Sequence, residues 1–227
     1  SRYKKSNLIP MRSWSERNLS NPNRAEFIRY PFSGPDILHA LYMFPEATDF
    51  ILCGLEPVGK FPKSDILRGK NSNQALEEIR KILEESLRFS FFKTIDMRAE
   101  LSKSFYNGTL PIMCLFLSGS GFSIRGIDFI KLNKDGTISE LQGTHPTGDA
   151  VQIRAVHENG REVLVNYFRT NISDGLISFA TFTNNNDCSF KQQYYPAITH
   201  TKPICNDTDL GKNMIISAPN KAGKTTI

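Results

Sequence analysis

Phe27-Ile-Arg-Tyr-Pro-Phe-Ser-Gly-Pro-Asp36 and, thirteen residues on, Asp49-Phe-Ile-Leu-Cys-Gly-Leu55 decide the fold. Phe27–Phe32 reads as a short strand, and Ser33-Gly-Pro-Asp36 as a turn with helix-start chemistry. Pro35 suits the first helical position, with Ser33 or Gly34 as the cap. Ile37, Leu38, Leu41 and Tyr42 repeat at helical spacing until Pro45 stops them. The run 49–55 is apolar without alternation, which suggests a strand covered on both faces, as in a parallel sheet. Strand, helix and strand in about 30 residues make a βαβ unit.

Downstream, Ala150–His157 and Glu162–Arg169 alternate on either side of Glu158-Asn-Gly-Arg161. Asn-Gly between alternating segments is a strong hairpin signal. Phe122–Leu132 is a further strand closed by the turn Asn133-Lys-Asp-Gly136; Leu110–Leu117 fits helix or strand, and its length and the Gly119-Ser-Gly121 stop favour a buried helix. Gln74–Phe89 carries Leu76, Ile79, Ile82, Leu83 and Leu87 on one stripe and its charges on the other, an amphipathic helix. A second helix is expected within Phe91–Ser104, and strands at Leu176–Thr183 and Met214–Ser217. The expectation is an α/β, Rossmann-like three-layer body with an antiparallel β-hairpin edge, followed by a β-rich segment.

The chain has 227 residues, 39% hydrophobic and 22% charged, enough to bury a sizeable core. Its net charge of +5 is compatible with nucleic acid or an anionic membrane surface without requiring either. Residues 1–25 form a basic N-terminal arm (Arg2, Lys4, Lys5, Arg12, Arg17, Arg24, with Trp14), which reads as an arm or a short helix laid on the body; a solvated tail is favoured over a membrane-surface or nucleic-acid arm. No apolar run approaches the length of a membrane span, so no transmembrane segment is expected. The opening Ser1 leaves a signal peptide open.

Cys53, Cys114, Cys188 and Cys205 are isolated, without the paired spacing of a zinc site. Cys53 and Cys114 lie in apolar runs and read as small buried hydrophobes. The four histidines, His39, His145, His157 and His200, lack metal-ligand spacing. His39 reads as a packed or hydrogen-bonded core residue. Ser118-Gly-Ser-Gly121 could cradle phosphate but is more simply a helix C-cap.

Two acids are candidates for chemistry. Glu56 follows Gly34 by about 20 residues, the spacing at which an acidic side chain accepts ribose hydroxyls in dinucleotide folds. The three-glycine fingerprint is missing, however: Gly34 and Pro35 stand in its place. Asp36 and Glu56 belong at the carboxyl ends of neighbouring strands, where they could act as acid and base or hold a cation. The plainer alternative is that Pro35 starts a helix while Glu56-Pro57 turns the chain. A nucleotide or S-adenosylmethionine-type ligand at Gly34, Asp36 and Glu56 is one functional expectation. A non-catalytic extracytoplasmic binding domain is another.

The last fourteen residues, Met214-Ile-Ile-Ser-Ala-Pro-Asn-Lys-Ala-Gly-Lys-Thr-Thr-Ile227, run from an apolar strand into a phosphate-loop pattern. That pattern places a lysine on the β/γ-phosphates and a hydroxyl on Mg²⁺. Seven of its eight positions fit, Ala218 standing where the first glycine belongs. Pro219-Asn220 before Gly223-Lys224-Thr225, with Tyr194-Tyr-Pro196, Lys202-Pro203 and Asn206-Asp207 upstream, resembles the mismatch-repair MutS family over residues 176–227. That resemblance implies ATP and Mg²⁺ as cofactors, Lys224 on phosphate, Thr225 as the metal ligand, and Asn220 and Gly223 in the loop. It implies DNA as a partner only through a parent MutS-like protein. The expectation is a truncated ATPase start, unlikely to hydrolyse ATP by itself.

Tyr30-Pro-Phe-Ser-Gly-Pro-Asp36, Gly54-Leu-Glu-Pro-Val-Gly59, Phe91-Phe-Lys-Thr-Ile-Asp-Met97 and Ile172-Ser-Asp-Gly-Leu176 resemble a bacterial secreted or lipoprotein-like family without an assigned activity. The two resemblances imply domains 26–175 and 176–227 after the arm. They also imply different compartments: cytoplasmic for the MutS-like part, extracytoplasmic for the body.

Overall fold

The strand 27–30 lies parallel beside the strand 49–54, with the helix 37–43 between them in the chain. In this computed structural model the described residues are 2–19, 25–30, 35–60, Glu77, Arg80, 108–133, 137–141, 148–170 and 213–215. A π-helical turn, Lys4–Leu8, runs into α1 (Ile9–Asn18). Then come β1 (Phe27–Tyr30), α2 (Ile37–Met43), β2 (Asp49–Gly54) and α3 (Leu110–Gly119). Strands β3 (Phe122–Leu132), β4 (Ile138–Glu140), β5 (Ala150–His157), β6 (Glu162–Arg169) and β7 (Asn213–Ile215) complete the order.

The strands form one seven-stranded sheet in the order β4-β3-β5-β6-β2-β1-β7. β7, β1, β2 and β6 are parallel to their neighbours in that row. β6, β5, β3 and β4 are antiparallel in succession. The α/β class and the βαβ unit expected from 27–55 are therefore present. The hairpin 150–169 forms, the expected antiparallel edge is made by β3 and β4, and β6 is the seam between the parallel and antiparallel halves. The reason is burial. Six consecutive residues of β6, Val163–Phe168, are buried, and only a strand with neighbours on both sides and cover on both faces buries such a run.

Alternation sorts the strands into two faces. Ile28, Tyr30, Phe50, Leu52, Val151, Ile153, Val163, Val165 and Tyr167 share the larger cluster with α2 and α3. Ile51, Cys53, Ile130, Ala150 and Phe168 form a smaller one on the opposite parity. A bulge between Ile124 and Gly126 shifts β3 by one residue, so that Ile124 stays on the face of Ile127 and Phe129. Each fully buried Ile, Leu or Phe contributes about 1.5–3 kcal/mol.

Helix α3 forms where the sequence is apolar all round, which is stable only in a core; Leu110–Cys114, Phe116 and Leu117 are buried. Pro111 is tolerated because it lies in the first turn, where no intrahelical N–H is lost. The helix ends as a C-cap: Gly121 takes φ +88°, and its N–H bonds the carbonyl of Ser118. Cys53 and Cys114 are buried free thiols; burial raises both pKa values, that of Cys114 to about 12.

Two expectations are corrected. Asp36, not Ser33 or Gly34, caps α2: its side chain accepts from the His39 N–H, so Pro35 precedes the cap rather than opening the helix. Of the readings of the arm, the short helix laid on the body holds over residues 2–19, and the favoured solvated tail does not. Leu8 and Ser15 are buried, and the Ser15 hydroxyl donates to the Met43 carbonyl at 2.7 Å, docking the arm on the end of α2. Of the helix expected at 74–89, Glu77 and Arg80 are helical, exposed and ion-paired at 3.0 Å. The expected helix in 91–104, the strand 176–183, the boundary near 175, His145, His200, Cys188 and Cys205 lie outside the described residues. β7 takes an edge place beside β1. Among the described residues no helix is long and apolar enough to cross a membrane.

Candidate functional site at the carboxyl edge of the parallel strands

Four parallel strands end on one edge, and two buried carboxyl groups stand just beyond it. Asp36 follows β1 and Glu56 follows β2, the neighbouring-strand placement expected from the sequence.

Asp36 is 3% exposed and fully engaged. Its Oδ1 accepts from the His39 N–H at 3.2 Å; its Oδ2 lies 2.8 Å from His39 Nδ1 and accepts from the Tyr30 hydroxyl at 3.4 Å. His39 Nε2 in turn lies 2.7 Å from the Tyr3 hydroxyl. When Nδ1–H donates to the carboxylate, Nε2 accepts from the phenol, giving a carboxylate–imidazole–phenol chain. Burial raises the Asp36 pKa, against the pull of its His39 and Tyr30 bonds. Burial, and then the Asp36 charge, raise that of Tyr3. A phenol held in its neutral form is a poor nucleophile, so this chain serves to anchor the arm to α2.

Glu56 is different. It is fully buried, and its Oε1 has no hydrogen-bond partner. The Tyr167 hydroxyl donates to the Glu56 carbonyl at 2.9 Å and approaches Oε2 at 3.4 Å. Burial raises the Glu56 pKa; its own N–H, Tyr167 and the Leu55 N–H oppose the rise. The Tyr167 pKa is pushed well up, first by burial and then by the Glu56 charge. An unpartnered buried polar atom costs about 1–3 kcal/mol, so this oxygen calls for a hydrogen-bond partner.

The loop carrying Glu56 is pinned. The Thr109 N–H donates to the Pro57 carbonyl at 3.0 Å and the Leu110 N–H to that of Val58 at 2.9 Å. The two backbones touch at Gly108, φ +93°, where a Cβ would meet the Gly59 Cα at 2.3 Å. Only glycine permits this approach. The same crossing sets the N-terminus of α3 against the Glu56 loop. The buried Thr109 hydroxyl, close enough to lower the Tyr167 pKa, lacks a hydrogen bond of good geometry.

The sequence reading found Asp36 and Glu56 but missed Tyr3, Tyr30, Thr109 and Tyr167. A signal existed for two of them: Tyr30 and Tyr167 occupy inward positions of apolar strands, where a buried phenol needs a polar partner. Gly34, Asn220, Gly223, Lys224 and Thr225 lie outside the described residues. Among the described residues no group of three or more His, Cys, Asp or Glu is placed to hold a metal ion. No family model, no curated protein and no solved structure matches this chain.

Proposed function

We propose that the chain is a Rossmann-like nucleotide-binding α/β protein whose ligand sits at the carboxyl edge of β1 and β2. The observation that carries this reading is the unpartnered, fully buried Oε1 of Glu56, two residues beyond β2 of a βαβ unit. An acid there hydrogen-bonds ribose hydroxyls, and a vicinal diol supplies the partner that Oε1 lacks. Ligands in open α/β sheets gather where the strand order reverses. Here the order reverses at β1, with β2 on one side and β7 on the other.

The second element of the proposal is the terminal segment. β7 is parallel to β1, so the strand leading to the phosphate-loop pattern ends on the same edge as Asp36 and Glu56. In this reading Lys224 binds phosphate, Thr225 holds Mg²⁺, and Asn220 and Gly223 shape the loop of a MutS-like segment that takes ATP. An S-adenosylmethionine-type ligand carries the same ribose diol and belongs to the same proposal.

The test is titration of a fluorescent ATP analogue, the nicotinamide dinucleotide and S-adenosylmethionine against wild type, Glu56→Met and Lys224→Ala. Saturable binding weakened at least tenfold by Glu56→Met supports the diol site, and a like loss of ATP in Lys224→Ala supports the phosphate loop. Absence of binding by all three ligands, or superimposable curves for the three proteins, removes the proposal.

A further inference from the structure

The net charge of this protein is not spread over it. Residues 1–25 hold six cations against Glu16 alone, which accounts for the entire +5 of the chain. The remaining residues balance, with 22 cations and 22 acids. Residues 2–18, which hold five of the six cations, are a helix fixed to the body along one side. Tyr3 meets His39 at 2.7 Å, and Ser15 and Arg12 reach the Met43 carbonyl at 2.7 and 3.3 Å. Leu8 and Ser15 are buried, and Met11 and Leu19 pack partly against the body.

At 100° per residue, that inner line leaves Pro10, Ser13 and Arg17 pointing outward, with Ile9 and Trp14 on the two shoulders. Ile9 is 49% and Trp14 48% exposed; among the described residues the only other large exposed apolar side chain is Leu55. The outward surface therefore has an apolar middle and basic ends: Arg2 and Lys5 before it and Arg17 after it, all exposed, while Lys4 turns to the body over the Tyr42 ring at 5.9 Å. Its one acid, Glu16, pairs with Arg12 at 3.0 Å.

We infer that this outward face of the N-terminal helix binds the surface of an anionic phospholipid membrane. Cations at both ends match lipid phosphates and carboxylates, while indole and isoleucine side chains enter the headgroup boundary. A duplex nucleic acid would be met as well by the cations, but it gives no use to Ile9 and Pro10 between them. Each Lys or Arg near such a surface contributes about fivefold to partitioning. The rigid docking through His39 and Met43 keeps the face displayed without the ordering cost that a free tail would bear.

Trp14 is the only tryptophan in the chain, so its emission reports on this helix alone. The experiment adds vesicles of phosphatidylserine and phosphatidylcholine, or of phosphatidylcholine alone, to the full chain and follows emission and co-sedimentation. Expected are a blue shift and sedimentation with the anionic vesicles only, both reversed by salt. The triple variant R2Q/K5Q/R17Q, folded by circular dichroism, should lose binding by about a hundredfold. Ile9→Ser serves as a second variant, reducing binding without altering charge. Equal binding to both vesicle types, no shift with anionic vesicles, or an unaffected triple variant overturns the inference. So does duplex DNA quenching Trp14 where vesicles leave it unchanged.

Discussion

Tyr30 and Tyr167 lie in one row of the sheet, on either side of Leu52, and each approaches a carboxyl group beyond the strand ends at 3.4 Å. Strands spaced about 4.8 Å apart put the two tyrosines roughly 10 Å from each other along the row. The phenols thus stand between the apolar core and the polar edge. Asp36 is satisfied by its partners, whereas Glu56 retains one oxygen to offer.

Tyr167→Phe removes the donor to the Glu56 carbonyl and side chain inside the core. Its expected cost is about 1–3 kcal/mol, because a buried acceptor is left unmet. Tyr30→Phe should cost less, since Asp36 keeps both its His39 bonds. Denaturant melts of the two variants test that order.

Asp36→Ala deletes the cap of α2 and the carboxyl group that orients His39. A loss of about 2 kcal/mol is expected, and Asp36→Asn should recover part of it by keeping the cap. Because His39 also holds Tyr3, the alanine variant should expose the arm: Trp14 emission and protease sensitivity near residues 1–19 should change before the body melts.

Burial raises the Glu56 pKa above its ordinary 4.5, so the folded protein keeps a proton that the unfolded chain has released. Stability from this group is therefore full below pH 4.5 and falls as pH rises through the folded value. Glu56→Gln cannot ionise. Its stability relative to wild type should grow as pH is raised from 4 towards neutrality, measured by parallel urea melts. A constant difference across that range would contradict the assignment.

Gly108→Ala places a Cβ against the Gly59 backbone and forces a residue with φ +93°. Gly160→Ala has the same backbone problem, φ +88°, but open space around it. The second should cost about 1–2 kcal/mol, the price of a left-handed residue alone. The first should cost distinctly more and disturb nucleotide binding, since it moves the Glu56 loop. Thermal melts of the pair separate contact from conformation.

Local pattern made the βαβ unit, the 150–169 hairpin and the buried helix at 110 legible, because each is written in residues close in sequence. The cap of α2 was misplaced since Pro35 suits a first helical turn; Asp36, three residues before His39, offers a capping side chain that the proline masked. Pattern alone does not separate a docked arm from a solvated tail, because the inner stripe of Leu8, Met11, Ser15 and Leu19 is interrupted by a serine whose partner, the Met43 carbonyl, is 28 residues away. The parallel pairing of β2 with β6 joins segments more than 100 residues apart, which no local periodicity encodes. The same distance hid the site's main feature, since Tyr167 reaches Glu56 across 111 residues.

The central claim is that the unpartnered oxygen of Glu56 receives a ribose diol. Its most direct test compares the melting temperature of the protein with ATP, with 2′,3′-dideoxy-ATP, and with neither, for wild type and Glu56→Met. A saturating ligand at 100 times its Kd should add about 2.7 kcal/mol, a shift of several degrees, for ATP on wild type. The dideoxy nucleotide should give a much smaller shift, and Glu56→Met should make the two nucleotides alike. Equal shifts from both nucleotides on the wild-type protein, or no shift from either, would contradict the account.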